Sequence, residues 1–242
     1  MTVGEIIKAV RFCYDEEAID SADFRNASAQ DNTYMDNIIK SKIGDAVRWI
    51  CLYSPAELLG GSDEMNGTTP ISTGILIDVT VPAESITPVS YGARVNLESD
   101  FIKLARVRVS EWHRAVKEPL REDSEEYLQI YDENGAKATY DRPQAAIIDK
   151  ATKQLEVWPW TAASADPVRA ADTIEYTYVA DVDAEPFDKP TTGGGTEKAY
   201  ALPPRVKTAF IYYLAFLVLS AYEDSRAPRM LEIAKMNIGK NG

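Results

Sequence analysis

The chain has 242 residues, enough to bury a hydrophobic core as one large domain or as two smaller ones. Its apolar content of 45% is typical of a globular protein, and its 38 acidic against 26 basic residues give a net charge of −12. This charge disfavours tight, sequence-independent binding to phosphate backbones, so we do not expect a nucleic-acid reader.

The N-terminal part, residues 1–70, predicts two helices. Thr2 and Glu5 have the spacing of a capping box, and an apolar stripe carries the first helix to about Glu17. A polar stretch then leads into a longer helix, which Pro55 ends or kinks. The apolar stripe of this longer helix consists of Met35, Ile39, Ile43, Ala46, Ile50 and Tyr53.

The two cysteines, Cys13 and Cys51, lie in these predicted helices. Two such residues form no disulfide framework for a chain of this size, so we expect both to be buried and reduced. The first residues also lack the basic region of a secretory signal. We therefore expect a protein that stays in the cytoplasm where it is made, or that enters a particle assembled there.

Residues 71–182 predict a β-rich insertion. Apolar residues alternate with other residues around Ile77, Val107 and Tyr176, as in strands with one buried face. The Asn134-Gly135 pair predicts one hairpin, and the segment from Asp149 to Lys153 predicts a second. We expect an antiparallel sandwich or barrel.

Residues 183–201 contain prolines and three consecutive glycines, which make regular structure improbable. A loop of this length is often functional, so it predicts an extended arm that reaches a neighbouring subunit. A plain surface connection is the alternative. The candidate arm residues are Phe187, Gly193, Gly194 and Gly195.

Residues 202–242 predict two further helices that complete a helical subdomain. After Pro203 and Pro204, the stretch from Phe210 to Leu219 holds no charged residue, so its helix is either central to a domain or wedged between subunits. It is shorter than the ~20 residues that span a bilayer. A second helix starts at Pro228 and stops at Gly239.

The last helix carries a stripe that could dock on a partner or on the chain's own helical subdomain. The candidate interface residues are Arg229, Met230, Leu231, Ala234 and Ile238. The predicted fold class is thus α+β: N- and C-terminal helices form one subdomain, and the strands are inserted between them.

The sequence contains few candidates for catalytic or metal-binding groups. His113 is the only histidine, and its surroundings contain no nucleophile motif. The sequence also contains no phosphate-binding loop of the GxxxxGK type. An acidic cluster could hold a hard cation or act as a glycosidase pair, but a solvated turn explains it equally well. Its members are Glu122, Asp123, Glu125 and Glu126. We predict no enzyme, no metal and no cofactor.

Aromatic residues on the predicted strands allow a sugar-stacking face, although packing in the core is the favoured interpretation. They are Trp158, Trp160, Tyr176 and Tyr178.

In order and pattern the whole chain resembles the head-to-tail adaptor, or neck ring, proteins of tailed phages. The class includes tail tubular protein A-like adaptors and the ring proteins of crAss-like phages. The resemblance is carried by two opening helices, a β-rich insertion and a closing helical pair. The corresponding stretches are GEIIKAVRFCYDE, NTYMDNIIKSKIGDAVRWICLYSP, EEYLQIYDENG, YDRPQAAI, LEVWPW, DTIEYTYVAD and LPPRVKTAFIYYLAFLVLSAYEDSRAPRMLEIAKMNIG.

The resemblance implies a structural virion protein that forms a ring, usually twelve-fold, beneath the portal protein and above downstream tail proteins. Double-stranded DNA would then be only a passenger in its channel, with no membrane involved. The alternative function is a carbohydrate-binding β-sandwich of a phage fibre or a bacterial surface protein, which leaves the terminal helices without a purpose. A hydrolase that uses the acidic cluster is a third class.

Overall fold

A computed structural model describes residues 1–14, 29–60, 65–66, 69–70, 75–132, 135, 137–148, 152–162, 172–181, 187–190, 195–200 and 202–238. The fold is α+β, as predicted. In these ranges the α-helices are α1 (Val3–Tyr14), α2 (Ala29–Tyr53), α3 (Glu125–Tyr131), α4 (Lys207–Ala221) and α5 (Ala227–Asn237).

Within the described residues the strands form four sheets. In chain order they are β1 (Met65–Asn66), β2 (Thr69–Pro70), β3 (Leu76–Thr80), β4 (Thr87–Val89), β5 (Gly92–Asn96), β6 (Phe101–Val109), β7 (Leu120–Arg121), β8 (Gln144–Ile148), β9 (Gln154–Trp158), β10 (Ile174–Ala180), β11 (Phe187–Pro190) and β12 (Thr196–Ala199). Short 3-10 turns occupy Ala56–Leu58, Ala83–Ser85 and Pro204–Val206.

The chain divides into two compact units. The helical unit comprises Met1–Ile75 together with Asp181–Gly242, and the β unit comprises Leu76–Ala180. The helical unit is therefore built from both ends of the chain, with the β unit inserted between them.

Helix α4 is the centre of the helical unit and contacts α1, α2 and α5. Burial accounts for its lack of a polar face, because the side chains of this one chain cover most of its circumference. Its buried residues are Ala209, Phe210, Ile211, Leu214, Ala215, Val218 and Leu219. Of the two positions considered for this helix, the one central to a domain is observed, and no second subunit is needed to explain its composition.

The start of α1 is fixed by its predicted capping box. The Thr2 amide donates to Glu5 Oε2 at 2.9 Å, and the Glu5 amide donates to Thr2 Oγ1 at 3.1 Å. Just before it, the Met1 nitrogen donates to the Tyr200 carbonyl at 2.8 Å and the Tyr200 amide donates to the Met1 carbonyl at 2.7 Å. The two ends of the helical unit are thus joined through backbone.

The prediction that residues 183–201 lack regular structure is wrong. Strands β11 and β12 pair antiparallel, from Phe187 opposite Ala199 to Pro190 opposite Thr196. Ala199 also forms a bridge with Thr2, so β12 is held by the start of the chain. The bridge to Thr2 joins distant parts of the chain, so it leaves no local signal in a segment rich in glycine and proline.

The β unit contains two separate sheets in its described residues, so it is not one closed barrel. One is antiparallel with strand order β3-β10-β6, and the other is mixed with order β4-β5-β9-β8-β7. The pairing of β7 with β8 is parallel, which corrects the purely antiparallel prediction.

One predicted hairpin is confirmed and the other is wrong. Strands β8 and β9 pair antiparallel on either side of the segment Asp149 to Lys153, as expected. Asn134-Gly135 instead follows helix α3, whose N-cap Ser124 accepts a hydrogen bond from the Tyr127 amide at 3.2 Å. Asn134 itself lies outside the described residues.

Cys13 and Cys51 are buried thiols, as predicted. Among the described helices, none combines the length and apolar character required to cross a membrane.

Candidate functional site

A polar cleft of about 520 Å³ lies in the β unit, lined by strands β3, β6 and β10 and by residues 113–115, which follow β6. Three guanidinium groups and two carboxylates surround it, an excess of positive charge in a chain of net charge −12. We call it the arginine cleft. Its charged residues are Arg106, Arg108, Arg114, Asp78 and Glu175.

One cross-strand row neutralises the first arginine. Thr177 on β10 lies opposite Asp78 on β3 and Arg106 on β6. Arg106 Nε donates to Thr177 Oγ1 at 3.0 Å, and its Nη2 lies 3.6 Å from Asp78 Oδ1. The Thr177 hydroxyl in turn donates to the Asp78 carboxylate. Asp78 therefore supplies the charge that opposes Arg106 within this row.

The other two arginines are not neutralised in this way. Arg108 lies opposite Glu175 in the sheet register but forms no ion pair with it. Arg114 likewise has no ion-pair partner in the part of the chain that the structure describes. Both side chains are exposed. The cleft therefore presents two guanidinium groups whose N–H donors are available to a carboxylate or a phosphate.

His113 lies at the same cleft and its side chain is 70% exposed. Its Nδ1 atom is 2.5 Å from Oδ1 of Asp141, a carboxylate that is itself 79% exposed. An imidazole–carboxylate pair in open solvent is strongly screened by water. The position of His113 therefore matches the surface histidine expected from the sequence.

A second cluster of titratable groups is centred on Glu156 of β9, whose side chain is completely buried. Arg94 lies directly opposite on β5 and its Nε donates to Glu156 Oε1 at 2.6 Å. The hydroxyls of Tyr127 and Tyr131 both donate to Oε2, at 3.1 and 2.8 Å. Each carboxylate oxygen therefore has partners, as a buried charge requires.

This network changes the titration of its members. Burial, with the negative charge of Glu156, raises the pKa of Tyr131 to about 12, and the same causes raise the pKa of Tyr127 further. The hydrogen bond to Glu156 is the main cause that raises the pKa of Arg94. Since both tyrosines belong to α3, the network fastens this helix to the mixed sheet, and we interpret it as structural.

This network was not predicted from the sequence. The Tyr127 and Tyr131 spacing of four residues places both rings on one face of a helix, and this is the one local signal for it. Their common partner, Glu156, lies 29 residues after Tyr127 and 62 residues after Arg94.

The aromatic residues considered for sugar stacking are buried. Trp158 is 1% exposed, Trp160 9%, Tyr176 3% and Tyr178 2%. The Trp160 Nε1 donates to the Asp172 carbonyl at 2.8 Å and the Tyr178 hydroxyl to Asp100 Oδ1 at 2.9 Å. The packing interpretation is confirmed, and these four rings offer no open face to a sugar.

The acidic cluster lies on the surface, in the turn after β7 and the first turn of α3. Asp123 accepts two hydrogen bonds from Arg121, both at 3.1 Å. No ion pair within the described ranges involves Glu122, Glu125 or Glu126. No group of three or more His, Cys, Asp or Glu side chains among the described residues is arranged to hold a metal ion.

The candidate interface on α5 is divided by the fold. Met230, 6% exposed, and Ala234, fully buried, belong to the face of α5 in the helical unit, where this helix contacts α4. Arg229 is exposed, and Leu231 and Ile238 are half-buried. Only these last three remain accessible to a partner.

The candidate arm residues are placed only in part. Phe187 begins β11, and Gly195 is exposed just before β12. Gly193 and Gly194 lie outside the described residues.

No protein-family model matches the chain, and a search of curated proteins finds no match. Function must therefore be argued from the molecule's own surfaces.

Proposed function

We propose that this chain is a structural virion protein, a head-to-tail adaptor that assembles as a ring beneath the portal protein and joins capsid to tail. The observation that carries the proposal is the construction of the helical unit from both ends of the chain around an inserted β unit. This order of elements is the one on which the resemblance to neck ring proteins rests.

Exposed apolar side chains on the helical unit support assembly. A ring needs contacts between one face of a subunit and a different face of the next, and exposed apolar groups are the usual material for them. Since α4 is covered within the chain, association would depend on these exposed side chains. They are Phe12, Tyr34, Leu52, Tyr53, Tyr222 and Met236, between 44% and 64% exposed.

The charge of the chain is compatible with a DNA conduit. A net charge of −12 repels a polyanion, so DNA would pass through the ring as a passenger rather than bind to its wall. The proposed partners are other copies of the chain, the portal protein and downstream tail proteins.

Electron microscopy of the purified protein, alone and with its portal protein, tests the proposal. We expect annular particles with an axial hole, seated on the portal. Leu52→Asp should disrupt rings without unfolding the chain, whereas Tyr91→Asp, at an exposed site of the β unit, serves as the control. Density for this chain at a fibre tip would overturn the proposal, and so would a chain that stays monomeric and does not bind the portal protein.

A catalytic role is tested separately with His113→Ala. The variant should assemble as the wild type does. A hydrolytic activity of the purified protein that this substitution abolishes would contradict a purely structural role.

A further inference from the structure

Two surfaces of the β unit carry opposite charges that form no ion pairs with the residues the structure describes. The first is the arginine cleft, with Arg108 and Arg114 unpaired among the described residues. The second is the acidic segment, residues 122–126. Its residues Glu122, Glu125 and Glu126 form no ion pair with any described residue. We infer that the arginine cleft of one copy binds the acidic segment of a second copy.

The cleft is suited to carboxylates in chemistry and size. Arginine presents a planar fork of donors that pairs with a carboxylate through two parallel hydrogen bonds. Arg106 is already occupied by Thr177 and Asp78, which leaves Arg108 and Arg114 as the available forks. A space of about 520 Å³ accepts a few acidic side chains but no folded domain.

The acidic segment is held in an ordered conformation. The Ser124 cap fixes the start of α3, and the hydroxyls of Tyr127 and Tyr131 bind α3 to the buried Glu156. Glu125 and Glu126 thus project from a helix anchored to a sheet. Such preorganisation lowers the entropy cost of association.

The occupant is a second copy because both surfaces belong to the same compact unit and make no ion pair with each other within it. Complementary patches at different places on one subunit give a head-to-tail contact, which repeats and closes into a ring when the rotation allows. In this respect the inference rests on the proposed function. A nucleic acid is disfavoured because the cleft also contains Asp78 and Glu175 and the whole chain is strongly negative.

Charge reversal tests the contact through self-association of the full chain, measured by sedimentation velocity at low and high salt. The cleft variant is Arg108→Glu/Arg114→Glu, and the segment variant is Glu125→Arg/Glu126→Arg. We expect each alone to weaken self-association at least about tenfold, and an equimolar mixture to restore it, because every contact in the mixture again joins opposite charges. A chain that carries all four substitutions should also associate.

Two controls distinguish loss of the contact from loss of folding and from a change in net charge. Both variants must retain the circular dichroism spectrum and thermal transition of the wild type. Lys40→Glu/Arg205→Glu changes the net charge by the same amount as the cleft variant at exposed sites of the helical unit, and should not be rescued by the segment variant.

The outcomes separate this inference from the proposed function. Wild-type rings with unchanged salt dependence in the cleft variant would refute the contact and leave the adaptor proposal standing. Rescue in the mixture without rings on the portal would support the contact and refute the adaptor. Wild-type chain that stays monomeric at low salt, or binding of inorganic phosphate or duplex DNA that the cleft variant loses, would overturn the second copy as occupant.

Discussion

The indole ring of Trp49 lies flat against the ring of Tyr213, with centroids 4.0 Å apart and planes inclined by 7°. Trp49 is 8% exposed on α2 and Tyr213 is half-buried on α4. Tyr53 and Phe216 lie at 5.6 and 5.5 Å from the two rings. The stack therefore joins the long N-terminal helix to the central C-terminal one through ring faces.

Truncating this stack should destabilise the helical unit. We expect Trp49→Ala to lower the free energy of unfolding by about 3 kcal/mol, the usual cost of removing a large aromatic side chain from a core. Tyr213→Phe keeps the ring face and should cost less than about 1 kcal/mol. Urea denaturation followed by circular dichroism measures both, and equal losses would show that the ring contact is not the source of the stability.

The division of α5 into a packed and an accessible part predicts different effects for neighbouring residues. Met230→Ala should cost about 2–3 kcal/mol of stability, because it opens a cavity in the helical unit. Arg229→Ala/Leu231→Ala should leave the thermal transition nearly unchanged and weaken attachment to a portal or neighbour. A double variant that melts normally and assembles normally would exclude this surface from docking.

We expect the effects of substitutions at Glu156 and Arg94 on stability to be coupled. Glu156→Gln should destabilise the β unit by about 3 kcal/mol, since it leaves the Arg94 charge without its partner. The double variant Arg94→Met/Glu156→Gln removes that charge and should recover at least about 1 kcal/mol. Glu175→Gln, on the exposed face, is the matched control and should stay within about 0.5 kcal/mol of the wild type.

The same network predicts sensitivity to alkali. The pKa of Tyr131 is raised to about 12, from the ordinary value of about 10 that applies to the unfolded chain. Its contribution is intact below pH 10 and is lost as the pH rises from about 10 through about 12, because the unfolded chain ionises first. Unfolding free energies measured across that range should fall less steeply in Tyr131→Phe, and an unchanged slope would contradict the assignment.

Elements with a strong local pattern were predictable from the sequence. The capping box of α1, the charge-free stretch of α4 from Phe210 to Leu219 and the β8-β9 pair each follow from residues close together in the chain. The Asn134-Gly135 pair misled because turn chemistry is the same after a helix as after a strand. The Thr2–Ala199 bridge that holds β12 and the Arg94–Glu156 pair were not predicted, because each joins residues that are distant in sequence.

The candidate site was harder to predict for the same reason. The acidic segment is visible in the sequence, but Arg106, Arg108 and Arg114 converge on a cleft only when β3 and β10 are placed beside β6. Alternating arginines and valines in β6 signal one buried face. They do not indicate which of the exposed arginines the neighbouring strands will neutralise.

The backbone pairing of Met1 with Tyr200, 199 positions apart, has a consequence for biosynthesis. At about 5–20 residues per second, a ribosome takes roughly 10–40 s to make the chain between them. During that time α1 and α2 have emerged without α4, their apolar partner, whereas all strands of the β unit are complete earlier. We therefore expect the β unit to fold first during synthesis, and α1 and α2 to pack against α4 last.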